Sequence, residues 1–366
     1  GYSVWRYFRL NDDSERKQSG GETIVRRILF VVGSVGLLII FSFLLYKPYA
    51  DWYVLSYSSL RLWDGTNTQT PDFLIHWGLF LFVVISWMIW ETRDWMAKTP
   101  VSSLNKLKQY TGMIITALVF VLASVIILLL YEVNIAWLAL PLAAWAGVLI
   151  LRPGLSDSKR IILFLVGTTL VLTLMVEVVV IEGDIGRMNT VFKFYLQAWT
   201  ILAIGAATAF TWVLLSFPKW SVGWRTVWQF GILFVVAAAA LYPVMGSIAK
   251  IKDRMTEEAP HSLDGMNFMQ YSTYNDLDTM MELNQDYDAI RWMQENIEGS
   301  PVIVEGNMVE YHWGNRYTIY TGLPSVVGWN WHQRQQRAAL PGGTVESRVA
   351  DVGAFYSTTN IEEVQG

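Results

Sequence analysis

Long apolar runs alternate with short polar segments along most of the chain. A helix needs roughly 20 predominantly apolar residues to cross the hydrocarbon core of a bilayer, and most of these runs approach that length. The pattern predicts seven membrane-spanning helices, over residues 24–46, 73–90, 113–131, 135–151, 161–181, 192–217 and 226–244. A polar lead-in, residues 1–23, precedes the first of them. The predicted fold class is therefore mainly α, a polytopic transmembrane helical bundle.

The remaining residues, 245–366, have the composition of a soluble domain. Residues 283–297 have the spacing of an amphipathic helix, and Gly299 follows as a stop signal. Residues 301–305 and 316–320 have the apolar, β-branched and aromatic composition of strands. A helix, a glycine turn and a strand predict the beginning of an external α/β domain, which the residues present do not complete.

Composition supports the membrane interpretation. Of the 366 residues, 53% are hydrophobic and 16% are charged, whereas about 25% are charged in an ordinary soluble domain. The net charge of −4 is small and predicts no nucleic-acid partner, because such partners require a basic surface. The chain has no cysteine, which excludes both a disulfide framework and a thiolate site.

Lysine and arginine are distributed unevenly between the two predicted sides of the membrane. One set of segments contains Arg16, Lys17, Arg26, Arg27, Arg93, Lys98, Lys106, Lys108, Arg152, Lys159, Arg160, Lys219 and Arg225. The alternate set contains only Lys47, Arg61, Arg187 and Lys193. Because short cytoplasmic loops carry the excess of positive charge, we predict a multi-pass plasma-membrane protein with cytoplasmic basic loops and an external C-terminal domain.

The densest polar stretch lies between the fifth and sixth predicted spans, at their external end. Residues 182–193 read Glu-Gly-Asp-Ile-Gly-Arg-Met-Asn-Thr-Val-Phe-Lys, and Glu177 precedes them inside the fifth span. A charge inside an apolar segment requires a partner or a function. We interpret Glu177 as a supporting residue that pairs with Lys193 across the helix hairpin. A carboxylate kept neutral by burial is the open alternative for Glu177. For residues 182–193, the alternative to a functional site is an ordinary helix start with Asn189 as its N-cap.

Five residues of this stretch are candidate site residues: Glu182, Asp184, Arg187, Asn189 and Lys193. Arg187 and Lys193 lie too close to the apolar zone to be only solubilising charges. Asn189 and Lys193 are four residues apart, so they share a helix face and can approach a phosphate together. Asp184 and Glu182 can accept a proton from a hydroxyl or hold a divalent ion, with Mg²⁺ and Mn²⁺ as open alternatives.

A second polar and aromatic cluster lies in the C-terminal part. Glu305 ends a predicted strand and precedes a glycine, which places its carboxylate at the edge of a loop. His332, Arg334 and Arg337 follow two nearby tryptophans. Aromatic rings beside guanidinium donors suit a sugar ring or a phosphate. The alternative is a domain that is held on the membrane surface by its tryptophans.

Residues 183–199 resemble the signature of the YYY family of archaeal and Chloroflexi membrane proteins. They read Gly-Asp-Ile-Gly-Arg-Met-Asn-Thr-Val-Phe-Lys-Phe-Tyr-Leu-Gln-Ala-Trp. Residues 288–293 and the region 316–337 are also similar to that family. The triple tyrosine for which the family is named, and its early acidic loop, would lie before Gly1. The resemblance therefore implies that this chain is the C-terminal part of a longer protein.

The resemblance also implies a relation to the GT-C superfamily of polytopic glycosyltransferases, which use lipid-phosphate-linked sugars. It implies that Arg187 and Lys193 contact the lipid phosphate, while Glu305, His332 and Arg337 contact the sugar or the acceptor. By this analogy, the residue that acts as base lies in the preceding loop, and catalysis needs both halves. A fold does not fix a function, so these implications are expectations.

Two functions are expected from these observations. The first is a membrane glycosyltransferase-like enzyme that transfers a sugar from a polyprenyl-phosphate donor at the external membrane face. The second is a non-catalytic structural or accessory subunit of a larger membrane complex, which contacts membrane lipid and other membrane subunits. A transporter is a weaker expectation, because the spans show no inverted repeat and no matching pair of broken helices.

Overall fold

A computed structural model of the chain describes residues 20–52, 59–182 and 186–365. The helices of its apolar part are α1 Gly20–Trp52, α2 Thr70–Lys98, α3 Thr111–Leu130, α4 Ala136–Ile150, α5 Asp157–Val178, α6 Met188–Ser216, α7 Val222–Leu241 and α8 Ser247–Arg254. Six helical segments of the described residues are long and apolar enough to cross a membrane, and α4 is apolar but shorter. The structure therefore confirms the predicted polytopic helical fold.

Two features at the end of α5 differ from the sequence pattern. The helix ends at Val178, and strand β2, Val179–Ile181, follows it directly. This strand pairs in antiparallel fashion with strand β1, Leu60–Leu62, so that Leu60 lies opposite Ile181. Three-residue strands are too short to produce a recognisable period of two, so the sequence did not reveal this pair.

The end of the seventh predicted span also differs. Helix α7 continues through a π-helical turn, Tyr242–Gly246, into α8 instead of ending at residue 244. Pro243 lies in this turn. Because proline has no backbone N–H and its ring crowds the preceding turn, a wider local turn accommodates it inside a continuing helix. The apolar segment that includes α7 and α8 accordingly extends to Arg254.

The core of the bundle lies where α5 packs against α4 and α6, and where α2 packs against α6 and α7. Large side chains fill it from α2, including Phe73, Trp77 and Trp87. Small residues dominate the buried face of α6, and a Cβ at Gly205 would lie 3.6 Å from the Val166 side chain of α5. Small residues at such contacts allow two membrane helices to approach closely.

The C-terminal part contains short elements around a small core. They are the hairpin β3 Thr273–Asp276 and β4 Thr279–Glu282, and the helices α9 Leu283–Asn296, α10 Arg316–Thr321, α11 Asn330–Gln336, α12 Thr344–Ser357 and α13 Ile361–Gln365. Short 3₁₀ helices cover Val101–Tyr110, Phe217–Lys219 and Asn267–Gln270. Met269, Leu283 and Ile290 form the buried cluster, and α9 confirms the amphipathic helix predicted over 283–297.

The strand predicted over residues 316–320 is wrong, because these residues form α10. Asn315 before this helix and Gly322 after it both have left-handed backbone conformations, with φ of 57° and 76°. A five-residue apolar run does not distinguish a short helix from a strand by period alone. In the strand predicted over residues 301–305, pairing is limited to a single parallel bridge between Ile303 and Ser325.

The chain divides into two compact units. One is Tyr57–Val326, and the other comprises Gly1–Ser56 and Val327–Gly366. The bundle core, the antiparallel pair of β1 and β2 and the cluster around Ile290 all belong to the first unit. The predicted domain boundary at residue 245 stays a prediction.

Candidate functional site

Glu177 is fully buried one residue before the end of α5 and is held by three groups. Its Oε1 lies 2.9 Å from Nη1 of Arg187. Thr68 donates its backbone N–H to Oε2 at 2.8 Å and its hydroxyl to Oε1 at 2.6 Å. A buried carboxylate is tolerated when it is paired and hydrogen-bonded in this way. Glu177 therefore forms a structural ion pair, as the sequence predicted. Its partner is Arg187, whereas the predicted partner was Lys193.

Arg187 immediately precedes α6 and closes the corner between α5 and α6. Besides the ion pair, it donates from Nη1 to the Val176 carbonyl at 2.9 Å and from Nη2 to the Thr68 hydroxyl at 3.1 Å. Its guanidinium carbon lies 5.4 Å from the ring centroid of Trp63, within the range of a cation–π contact. Only 13% of this side chain is exposed, so the protein itself uses most of its binding capacity.

The loop after β1 places Trp63 against Arg187. The Trp63 backbone N–H donates to the Val178 carbonyl at 2.9 Å, which extends the pairing of β1 with β2. Its indole N–H donates to the Thr66 carbonyl at 3.2 Å. A Cβ at Gly65 would lie 2.3 Å from the indole ring, so this fold of the loop requires glycine there. The loop after β1 and the junction of α5 with α6 thus form one unit. We call this unit, which includes Trp63, Thr68, Glu177 and Arg187, the polar corner.

Three buried polar atoms of this region have no hydrogen-bond partner among the described residues: Asn67 Oδ1, Trp77 Nε1 and Tyr195 OH. Tyr195 packs edge to face against Trp77, with ring centroids 5.2 Å apart. Glu177 and Arg187 are electrostatic neighbours of the Tyr195 hydroxyl. Buried polar atoms usually have a partner, and exceptions call for a bound molecule or another explanation. Thr68 and Trp77 also act on the Tyr195 hydroxyl as hydrogen-bonding neighbours. These side chains therefore form a polar cluster beside the ion pair, in which Asn67 Oδ1 can accept a hydrogen bond from a bound polar group.

The structure brings most of the predicted residues to the same end of the α5–α6 hairpin. Glu182 is exposed, and the Ser59 hydroxyl donates to its carboxylate. Asn189 lies in the first turn of α6, and Arg187 occupies the N-cap position instead. Lys193 lies about one turn further along α6 and is exposed. Asp184 lies outside the described residues.

Thr190 is a buried member of the same stretch that sequence reasoning missed. Its hydroxyl accepts a hydrogen bond from the Ile181 backbone N–H at 3.1 Å, which joins β2 to the first turn of α6. Thr68, the main partner of Glu177, was missed as well. Neither threonine had a signal in the sequence, because a lone threonine in a polar segment predicts no particular contact.

Glu305 lies in a loop, as the sequence predicted, but its carboxylate is buried. Its Oε1 accepts from the Thr318 backbone N–H at 2.9 Å, while Oε2 has no partner in the described part of the chain. Burial raises the pKa of Glu305 above its usual value of 4.5, against the lowering effect of the Thr318 and Tyr317 N–H groups. Glu305 is thus a candidate acid or ligand contact.

Two buried carboxylates next to this region were not predicted. Asp276 Oδ1 lies 2.5 Å from His312 Nδ1, and Oδ2 accepts from the Trp313 N–H at 3.1 Å. Asp286 accepts from the Tyr317 hydroxyl at 2.8 Å and from the Trp313 indole at 2.9 Å. Burial, together with Asp286, raises the pKa of Tyr317 to about 12. The spacing of Asp286 between the apolar positions of α9 was the signal that could have revealed it.

His332, Arg334 and Arg337 belong to the second compact unit, on α11 and at its end. The His332 ring lies edge to face against Trp329, with centroids 5.4 Å apart. Arg334 Nε lies 3.1 Å from Glu346 of α12. Arg337 Nε donates to the Gln333 side chain at 2.8 Å. Both arginines are exposed, so a contact with a sugar or an acceptor stays a prediction for this group.

A family model described as "Uncharacterized membrane protein (DUF2298)" matches residues 6–202, which is more than half of the chain. The chain belongs to this family. No curated protein and no solved structure matches it. The family assignment and the apolar helices together establish a multi-pass membrane protein.

The matched part of this DUF2298 protein includes the whole polar corner and ends within α6. Glu305 and the arginines of α11 lie beyond the match. The match does not support the more specific YYY and GT-C resemblance, which stays a prediction. Among the described residues, no group of three His, Asp or Glu side chains could hold a metal ion. Because Asp184 lies outside those residues, a divalent ion bound by Glu182 and Asp184 also stays a prediction.

The DUF2298 protein has a further buried carboxylate, Glu91 of α2, which lies near the beginning of α5. Arg152 Nη1 lies 3.0 Å from its Oε2, and Lys159 of α5 bonds to its Oε1. Arg152 also pairs with Asp94 at 3.1 Å. The sequence placed both bases among the cytoplasmic charges and did not assign Glu91 a role. Its position directly after an apolar run was the available signal, since an acid there needs a partner.

Proposed function

We propose that this DUF2298 protein is a membrane glycosyltransferase of the GT-C type, which transfers a sugar from a polyprenyl-phosphate donor. The observation that carries this proposal is the polar corner, where a buried ion pair lies beside the polar atoms of Trp77 and Tyr195 and the unsatisfied Oδ1 of Asn67. Ionisable groups within membrane-spanning segments are maintained mainly for function. The exposed Lys193 on α6 adds a positive charge at the same end of the hairpin.

In this proposal an acceptor hydroxyl attacks the anomeric carbon of the donor sugar. The bond between that carbon and the phosphate oxygen breaks, and polyprenyl phosphate leaves with the electron pair. A carboxylate takes the hydroxyl proton, either Glu182 or Asp184 or, by the GT-C analogy, an acid of the preceding loop. Lys193 with Asn189 holds the charge of the leaving phosphate. Arg187 has a positioning role, because Glu177 and Thr68 already engage its guanidinium. Glu305, His332, Arg334 and Arg337 remain the candidate contacts for sugar or acceptor.

Substitution of Lys193 tests the proposal. The full-length protein, reconstituted in lipid vesicles, is supplied with a polyprenyl-phosphate-linked labelled sugar, and transfer is measured. Loss of one charge-assisted contact to phosphate lowers transfer by about 10- to 100-fold in Lys193→Ala, while Lys193→Arg retains most of it. Lys98→Ala removes a lysine from the end of α2 and serves as the control. Equal transfer by Lys193→Ala and Lys98→Ala contradicts the proposed phosphate contact.

A non-catalytic subunit is the second candidate, and one observation favours it. Helix α3 has no buried residue among those described, although its mean hydropathy is the highest of the apolar helices. Such a helix contacts either lipid or another membrane protein. If gentle solubilisation retains other membrane subunits at a fixed stoichiometry and the full-length wild-type protein turns over no donor, the accessory role replaces the enzymatic one.

A further inference from the structure

A cavity of about 610 Å³ lies between α2 and the beginning of α7. Four tryptophans contribute to its lining: Trp90, Trp220, Trp224 and Trp228. Its volume falls in the range of small-ligand sites, roughly 300–1,000 Å³. Along α2, Trp90 is about 30 Å from Thr70, at a rise of 1.5 Å per residue. The cavity therefore lies at the other end of the bundle from the polar corner and is a separate site.

The cavity walls are held in place by contacts within the protein. The rings of Trp90 and Trp220 stack, with centroids 5.6 Å apart and an interplanar angle of 28°. Trp228 donates its indole N–H to the Ser86 hydroxyl at 2.9 Å, and Trp220 donates to Ser216 at 2.8 Å. Because these N–H groups are satisfied internally, the rings present apolar faces to the cavity. Such faces suit a hydrocarbon chain.

An ordinary belt of interfacial tryptophans does not account for this arrangement. Belt residues project separately into the headgroup region of the membrane. Here Trp228 is only 7% exposed, and Phe82 lies so close to Gly231 that a Cβ at that glycine would be 2.8 Å from its ring. The aromatic side chains therefore line a common volume between two helices.

One base lines this volume, and two more lie next to its lining residues in the sequence. Arg93 lines the cavity, and its guanidinium carbon lies 5.0 Å from the Trp90 ring centroid. Lys219 and Arg225 directly flank other lining residues in the sequence. Among the described residues, none of these three bases forms an ion pair, in contrast to the bases that hold Glu91. The rim of the cavity is thus suited to an anion.

We infer that this cavity binds a membrane phospholipid with an anionic headgroup. An acyl chain lies among the tryptophan rings, and Arg93 and Lys219 contact the headgroup. Basic pockets between membrane helices favour anionic lipids over zwitterionic ones, because the headgroup of a zwitterionic lipid carries a compensating positive charge. The site is separate from the proposed sugar transfer, so the two proposals can fail independently.

Native mass spectrometry of the full chain in detergent tests this inference. The chain is titrated with phosphatidylglycerol, which is anionic, and with phosphatidylcholine, which is zwitterionic. Wild type retains more phosphatidylglycerol, and Arg93→Gln lowers that preference by about five-fold, the contribution of one base near an anionic headgroup. Lys98→Gln removes a base from the same helix end but outside the cavity lining, and it leaves the preference unchanged.

A second pair of variants tests the apolar part of the site at exposed positions, where a substitution does not disturb the core. Trp224 lines the cavity and is 72% exposed, whereas Phe234 of α7 is 74% exposed and lies outside the lining. Trp224→Ala weakens retention of both phospholipids, and Phe234→Ala does not. The inference is overturned by equal retention of the two lipids by wild type, by identical behaviour of Arg93→Gln and Lys98→Gln, or by preferential capture of a polyprenyl phosphate.

Discussion

Glu177 and Glu91 are both almost fully buried, and each is held by arginine or lysine. Removal of one partner from a buried ion pair leaves an uncompensated charge, which is more destabilising than replacement of the whole pair by apolar residues. Around Glu177, the Thr68 N–H and hydroxyl occupy both carboxylate oxygens together with Arg187. The stability of the polar corner therefore depends on the complete group.

The first prediction concerns Glu177. Because Arg187 stays buried without a counter-charge, Glu177→Gln lowers the free energy of unfolding by about 3–5 kcal/mol. Thermal unfolding of the full chain in detergent measures the change, with the exposed Glu182→Gln as the matched control. The double variant Glu177→Leu with Arg187→Met recovers most of the stability. A Glu177→Gln variant as stable as Glu182→Gln would show that the ion pair does not support the fold.

The second prediction concerns Glu305 and pH. Because burial raises the pKa of its carboxyl, the folded chain binds that proton more tightly than the unfolded chain. The resulting stability is present below about pH 4.5 and is lost as pH rises through the folded-state pKa. Glu305→Gln, which stays neutral, should therefore gain stability relative to wild type as pH increases.

Unfolding temperatures of wild type and Glu305→Gln at pH 4 and pH 7.5 check this expectation. Glu298→Gln, an exposed glutamate of the same part of the chain, is the control. A difference between Glu305→Gln and wild type that stays constant across this pH range would exclude a contribution from the Glu305 carboxyl.

At the scale of residues, the sequence indicated which charged residues are important but did not indicate their partners. Glu177 stood out because it interrupts an apolar segment, and Arg187 stood out because it lies close to one. Their pairing depends on where α6 begins, and the helix start at Met188 leaves Arg187, not Lys193, beside Glu177. Thr68 contacts Glu177 from a distant part of the chain, and no local pattern of hydrophobicity or charge encodes such a contact.

Helices were the elements that the sequence predicted best. A run of about 20 apolar residues is a strong signal, because the bilayer leaves few alternatives to a helix. The ends of the elements were less predictable, since tertiary contacts set them. The pairing of Leu60–Leu62 with Val179–Ile181 ends α5, and the π-helical turn at Tyr242–Gly246 extends α7. The short helix at Arg316–Thr321 was mistaken for a strand because its apolar run has no distinctive period.

The third prediction concerns the attachment of α5 to α2. Glu91→Gln leaves Arg152 and Lys159 without their buried carboxylate, so we expect a loss of about 3–5 kcal/mol of stability. We also expect faster proteolysis between α4 and α5, because Arg152 holds that connection to α2. Lys98→Gln, which breaks an exposed pair with Asp94, should have little effect. Equal protease resistance of the two variants would argue against an anchoring role for Glu91.

For the whole molecule, the match to residues 6–202 and the apolar helices establish a multi-pass membrane protein of the DUF2298 family. The distribution of lysine and arginine predicts its orientation. Some of those bases also have structural roles, since Arg152 and Lys159 bind Glu91. Labelling of single cysteines introduced into the cysteine-free chain, from either side of intact cells, checks the orientation. If a cysteine introduced at position 98 is labelled from outside, the orientation is the opposite of the predicted one.

The ion clusters around Glu91 and Glu177 also give the bundle a fixed hydrophobic length. Lys159 and Glu177 are about 27 Å apart along α5, at a rise of 1.5 Å per residue, and a typical hydrocarbon core is about 30 Å thick. Paired side chains cannot extend toward water in a thicker bilayer as single lysines do. Any mismatch must therefore be met by tilt of the helices or deformation of the lipid.

This length should make the protein sensitive to bilayer thickness. In vesicles of phosphatidylcholines with increasing acyl-chain length, the unfolding temperature should pass through a maximum where the hydrocarbon core matches the distance between the clusters. Glu177→Gln should flatten this dependence, because it releases one end of the fixed length. A wild-type unfolding temperature that does not vary with chain length would show that the clusters do not fix it. If the unfolding temperature does pass through such a maximum, membrane thickness selects where in a cell this protein is stable.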